Sequence, residues 1–404
     1  MLKKKHECAV GQLLIIGFDG AEMTPRIASL LSRTQPAGVI LFARNIHSAE
    51  QTRRLLGECQ KCVATPLLTC VDLEGGTVDR FREALGPTPA AADVFATCDP
   101  KMFRRHGQLA GECCRALGFN VDFAPVLDLA FVASSAVMGT RTVSADPRAV
   151  VAYAREFLLG MASAKVLGCG KHFPGLGEGR LDSHHELPVI EKSLLAMWAE
   201  DLLPYRALRR QLPMVMISHA AYPQVTKDKT PASLSKQWIG GILKKRIGYR
   251  NLIVSDDLEM GGVLSAAPVG EAAVESIRAG GDLCLVCHRE DRVLEAYEAL
   301  ANQVERDRKF ARRAGESADR VLGFKKKWAA EVPTRSTSSR QALAATSAAR
   351  MGHPNRFLSA AKTEQLSRRL WEFGEQVRLE PLGRQEDRRR KTGAGRPGGG
   401  RARK

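Results

Sequence analysis

Three short stretches hold the residue types from which acid–base or nucleophilic chemistry is built. In Lys171-His-Phe-Pro-Gly-Leu-Gly-Glu-Gly-Arg-Leu-Asp-Ser-His184, Asp182 and His184 stand two apart. A carboxylate at that distance can accept from an imidazole nitrogen, which fixes the tautomer and raises the basicity of the ring. The other reading is a solvated loop histidine beside a turn aspartate. In Ile253-Val-Ser-Asp-Asp-Leu-Glu-Met260, Asp256 and Asp257 are adjacent. Such a carboxylate can be a nucleophile, a base or a metal ligand, while Ser255 or Asp257 could equally cap a helix. A carboxylate nucleophile suits glycosyl transfer, because it stabilises an oxocarbenium-like transition state and then forms a covalent ester. In Val71-Asp-Leu-Glu-Gly-Gly-Thr-Val-Asp-Arg80, Asp72 can take two sugar hydroxyls, and Gly75-Gly76 permits close backbone approach. Arg80 and Arg141 offer further donors to hydroxyl or acetamido oxygens, or pair with acids at the surface.

Eight apolar runs must position these groups: 13–18, 38–42, 67–71, 121–123, 166–169, 214–217, 252–254 and 283–286. Amphipathic segments separate them. Phe103, Leu109, Cys113 and Leu117 share one helical face, which Gly118 ends. Strands alternating with helices predict an α/β chain, a TIM-type (β/α)8 barrel, with a doubly wound open sheet as the alternative. In a barrel, chemistry sits after the C-terminal ends of strands. Asp72, Lys171-His172, Ser218-His219 and Ser255-Asp256-Asp257 all follow apolar runs in this way.

The bulk properties exclude several classes. No apolar run approaches the roughly 18 residues that cross a bilayer. The lysine-rich start, MLKKKHECAVGQLLIIGFDG, reads as the approach to a first buried strand and not as a signal peptide. The expectation is therefore a cytoplasmic, monomeric protein without a membrane partner. The net charge is +17, but residues 331–404 hold 17 Lys+Arg against 7 Asp+Glu. That segment, ending KTGAGRPGGGRARK, is expected to be a disordered, low-complexity basic tail behind a catalytic domain at 1–330. Within the tail, residues 361–378 could form one further helix around Leu366, Leu370 and Phe373. No nucleic-acid partner is expected beyond weak binding by the tail. Cys284-Leu-Val-Cys287-His288 matches the c-type haem pattern, yet its apolar setting predicts a buried strand with thiols as small fillers. No ligand pattern such as HExxH is present, so neither metal nor cofactor is expected.

Taken together, Val-Asp-x-Glu-Gly-Gly, Lys-His-Phe-Pro-Gly-x-Gly with Asp-Ser-His, and Ser-Asp-Asp-Leu-x-Met resemble the β-N-acetylglucosaminidases of glycoside hydrolase family 3 over roughly residues 10–325. The resemblance implies a retaining enzyme that removes terminal N-acetylglucosamine from a glycan, with muropeptides in cell-wall recycling as the expected source. By this resemblance Asp256 is the nucleophile, His184 the general acid/base and Asp182 its partner. Asp72, Arg80, Arg141, Lys171 and His172 hold the sugar. Leu176, Thr77, Asp79 and the Met138-Gly-Thr-Arg141 run depart from the family's usual residues. A family 3 β-glucosidase or a phosphorylase is the enzymatic alternative. A non-catalytic barrel that binds nucleic acid through the tail is the alternative from another class.

Overall fold

The computed structural model describes residues 10–179, 186–331 and 360–391. Eight parallel strands close into a barrel in chain order: β1 (Leu14–Ile16), β2 (Gly38–Ile40), β3 (Leu68–Val71), β6 (Val121–Asp122), β7 (Leu167–Phe173), β8 (Met214–Ile217), β9 (Leu252–Asp257) and β10 (Leu283–Val286). The ring shuts where β1 pairs with both β10 and β2. An antiparallel hairpin, β4 (Leu73–Gly75) and β5 (Val78–Asp79), stands apart from it. The barrel expectation holds and the open sheet falls away.

Strand side chains alternate between two cores, as a period of two dictates. Ile15, Ile40, Leu68, Cys70, Val121, Cys169, Met214 and Leu285 fill the barrel interior. Leu14, Ile16, Val39, Val71, Val215, Ile253 and Val286 face the helices outside. The crossovers include α1 (Pro25–Thr34), α2 (Ala49–Lys61), α3 (Pro100–Leu117) and α4 (Pro147–Ser163). Each starts on a side-chain cap, from Thr24, Ser48, Asp99 and Asp146 respectively, which satisfies an otherwise orphaned amide. Gly118 ends α3 in the left-handed region, at φ +95°. After β10 come α5 (Glu290–Arg306) and α6 (Arg308–Glu331). Val321 and Trp328 of α6 join the barrel interior, and Lys325 donates to Gln12, just before β1. Helix α6 thereby closes the N-terminal mouth of the strands, leaving the C-terminal mouth for a site.

The helix allowed around Leu366, Leu370 and Phe373 is present within the C-terminal region. Residues 360–391 form a helix, α7 (Ala360–Lys391), which buries Leu366, Leu370, Phe373 and Val377. Apolar side chains at helical spacing outweigh the basic composition there. Residues 332–359 and 392–404 lie outside the described residues. All nine described cysteines are free, and Cys284 and Cys287 are buried. No helix among the described residues is long and apolar enough to cross a membrane.

Candidate active site

The C-terminal mouth of the barrel opens into a cavity of about 340 Å³, within the range of small-molecule sites. Its lining includes Asp72, Arg80, Arg141, Lys171, His172 and Asp256, which come from four separate segments of the chain. The described residues expected to act as nucleophile or to hold the sugar thus reach one cavity, whereas Ser218, His219 and Ser255 are not part of its lining. Asp182 and His184 lie outside the described residues; Leu176, on the approach to that segment, lines the cavity.

At the floor, Lys171 projects from β7, almost wholly buried, and its Nζ lies 2.6 Å from both Asp72 Oδ1 and Glu74 Oε1. Arg141 grips the same Glu74 through two parallel bonds, Nε to Oε2 at 2.7 Å and Nη2 to Oε1 at 2.9 Å. Burial works against ionising Glu74, but Lys171 and Arg141 outweigh it and hold the carboxyl well below its ordinary range. Burial likewise opposes the Lys171 and Arg141 charges, and the neighbouring acids raise both above their ordinary values. Beneath them Asp122 is fully buried, and burial pushes its carboxyl well above the usual carboxylate range.

Asp256 lies in β9, which runs through both aspartates to Asp257. The pair therefore ends a strand, and neither member caps a helix. Burial opposes the Asp256 charge, but the His172 ring, the Asp257 amide (2.9 Å to Oδ1) and Lys171 hold the carboxyl below its ordinary value. It is an anion at neutral pH at the end of β9. Asp257 has other duties. Its Oδ1 accepts from the Glu259 and Cys287 amides, and its Oδ2 lies 3.2 Å from His288 Nε2.

His172 donates Nδ1–H to Asp128 at 2.6 Å, and Asp128 also takes the His172 and Leu176 amides. One buried carboxylate thus sets the ring's orientation and ties down the start of the glycine-rich loop. His219 is fully buried; its Nε2 donates to the Asp257 carbonyl and its Nδ1 accepts from Ser233 Oγ. Burial lowers its pKa, so it is a neutral support under β9. At the rim, Phe42 stacks on His288 at 5.2 Å, with the guanidiniums of Arg44 and Arg80 4.8 and 5.6 Å from its ring centre.

Sequence reasoning missed Glu74, Asp128 and the Phe42–His288 rim. Glu74 could have been found, since it lies two residues after Asp72. Asp128, in Pro125-Val-Leu-Asp128, lies six residues past the end of β6, beyond the strand-end rule that picked out Asp72 directly after β3. The glycine pair also has another purpose. A Cβ on Gly75 would fall 2.0 Å from the Pro89 carbonyl oxygen, and one on Gly76 would fall 2.6 Å from Ala90 Cβ. The close approach is to the protein's own chain. No cluster of three or more potential metal ligands occurs among the described residues.

The sequence profile of the glycosyl hydrolase family 3 N-terminal domain matches residues 6–324. A β-hexosaminidase of Bordetella avium is 37% identical over 297 residues, covering 71% of this chain and 84% of that protein. One from Alkalilimnicola ehrlichii is 38% identical over 287 residues, covering 69% and 82%. Among solved structures, a family 3 β-N-acetylglucosaminidase from a Paenibacillus species superposes with a TM-score of 0.79 at 31% identity, covering 91% of this chain and 68% of that one. The β-N-acetylhexosaminidase of Beutenbergia cavernae gives 0.74 at 26% identity, covering 80% and 98%. With a closed barrel, a strand-end carboxylate held as an anion and a profile match over most of its length, the chain belongs to glycosyl hydrolase family 3.

Proposed function

We propose that the protein is a retaining exo-β-N-acetylglucosaminidase, a glycoside hydrolase that removes N-acetylglucosamine from the non-reducing end of a glycan. The observation that carries this reading is Asp256, ionised and recessed at the end of β9, in the same cavity as the Asp72–Lys171–Glu74–Arg141 cluster. The names of the hexosaminidase relatives support the choice of sugar.

In this reading Asp256 attacks the anomeric carbon and the bond to the aglycone oxygen breaks. His184 gives that oxygen its proton. His184 then takes a proton from water as the water displaces Asp256, so configuration is retained over two inversions. Asp182 orients the His184 ring and supports its charge. Asp72, Arg80, Arg141, Lys171 and His172 hold the hydroxyl and acetamido groups. Residues 1–330 form the catalytic domain, and the natural substrate is a muropeptide met in the cytoplasm during cell-wall recycling.

The test compares aryl N-acetylglucosaminide with aryl glucoside, with and without phosphate. Release of free N-acetylglucosamine that ignores phosphate is the expected result. Preference for the glucoside, or a sugar phosphate as product, refutes it. Asp256→Ala should abolish turnover, and normal rates in that variant would remove the nucleophile. His184→Ala should slow substrates with poor leaving groups far more than activated ones, since proton transfer contributes roughly 10²–10⁴-fold. Equal slowing of both would mean that His184 is not the acid.

A further inference from the structure

Helix α7 is bound to the barrel at two places with different consequences. Its first half lies over the C-terminal ends of α3 and α4, where Arg369 pairs with Glu112 at 2.6 Å. Its second half reaches residues 87–90, the stretch that runs beside the β4–β5 hairpin. There Gly374 faces Pro89, with Pro89 Cγ 3.9 Å from where a Cβ would stand. Phe373, fully buried, lies 6.0 Å from the His106 ring and under the Arg105 guanidinium at 5.3 Å. Arg105 also bonds Gln376 at 2.9 Å, which fixes the helix face. His106 in turn pairs with the Tyr153 hydroxyl at 2.9 Å, and its ring lies near the Pro89 carbonyl.

Residues 88–90 are bound as firmly on their other side. The Gly76 amide donates to the Thr88 carbonyl at 3.0 Å, and the Thr88 amide to Asp79 Oδ2 at 2.8 Å. Asp79, one of the departures from the family's usual residues, is thus a tie between hairpin and strap. The approach of Pro89 to Gly75 leaves no room even for a methyl group. Interiors so closely packed transmit displacements instead of absorbing them. Glu74 is the residue next to Gly75, and Arg80 follows Asp79 directly.

We infer that α7 is a positioning element for the hairpin: Phe373 and Gly374 hold the 88–90 strap, and the strap sets the place of Glu74 and Arg80 in the cavity. This rests on the reading that the hairpin residues hold the sugar. The helix touches no substrate. Its effect is on how well the ground state is held, so it acts on KM more than on kcat. The C-terminal region thereby takes part in the reaction without contributing a reacting group.

The experiment uses the full chain, with Gly374→Leu, Phe373→Ala, Phe373→Leu and Arg369→Ala, assayed on aryl N-acetylglucosaminide well below each variant's melting temperature. Gly374→Leu presses on Pro89 without removing a core side chain, and so serves if Phe373→Ala fails to fold. Both should raise KM about tenfold, the factor that 1.4 kcal/mol of binding represents, with kcat changed less than about twofold. Phe373→Leu, which keeps an apolar contact with His106, should restore most of KM. Arg369→Ala should lower the melting temperature and leave KM unchanged. If Gly374→Leu and Phe373→Ala behave like Arg369→Ala, α7 is packing alone and the inference is overturned. Glu74→Gln in the same series separates the two levels. A normal KM and kcat in that variant would mean that the hairpin does not hold the sugar, whatever α7 does.

Discussion

Replacing Glu74 by glutamine keeps the shape of a buried side chain and removes its charge. The carboxylate accepts three charge-assisted contacts, two from Arg141 and one from Lys171, and its side chain is only 2% exposed. A glutamine offers one acceptor oxygen, and its amide group would meet a donor on the other side. With that oxygen in the Oε1 place, the contacts to Arg141 Nη2 and Lys171 remain without the acceptor's charge, and the one to Arg141 Nε is lost outright, at about 1.5–3 kcal/mol for a bond to a charged group. Removing the charge as well brings the cost to the roughly 3–5 kcal/mol of breaking a buried ion pair from one side. Glu74→Gln should therefore destabilise the fold by about 3–5 kcal/mol at neutral pH, read by urea unfolding. The pH dependence has a definite sign. The folded-state pKa of Glu74 is depressed, so its contribution is fully present above the unfolded value of about 4.3 and fades as pH falls below it. Glutamine cannot titrate, so the gap between wild type and variant should narrow as pH drops from 6 towards 3. A gap under about 1 kcal/mol at neutral pH, or one that stays constant over that range, would refute the reasoning.

Two further outcomes follow from the same geometry. Gly75→Ala should cost at least about 2 kcal/mol in unfolding free energy, because φ is +83° and the new Cβ meets the Pro89 carbonyl; wild-type stability would show that the strap can move away. The hydrogen bond that His288 donates to Asp257 raises the His288 pKa, so its NMR titration should fall towards the ordinary histidine value in Asp257→Asn, and an unchanged midpoint would break the assignment. Since the folded value is the raised one, any stability from that pair is present below the unfolded histidine pKa of about 6.5 and is lost as pH climbs through the folded value.

Much of the architecture could be read directly from the chain. Apolar runs of strand length alternate with helical-period segments, and this pattern depends only on neighbours in sequence. That is why the eight strands, the buried Cys284 and Cys287, and the Phe103–Leu117 face were all legible. The helix around Leu366, Leu370 and Phe373 was legible by the same periodicity, although the composition of the region pointed to disorder. The rule that strand ends carry chemistry then picked out Asp72, Lys171, His172 and Asp256, all of which reach one cavity.

What the chain alone left open are relations between distant segments. Barrel closure brings Glu74 to Arg141, 67 residues away, and Asp72 to Lys171, 99 residues away. Charge pairing of that kind is decided by the register of a closed sheet, which no local pattern encodes. The same holds for the glycine pair, whose neighbour proved to be Pro89, and for α7, whose docking face became meaningful only once His106 and the 88–90 strap were in place. Sequence determined which groups stand at strand ends because periodicity is local. Tertiary structure decided which charges neutralise one another, because that depends on distances across a fold.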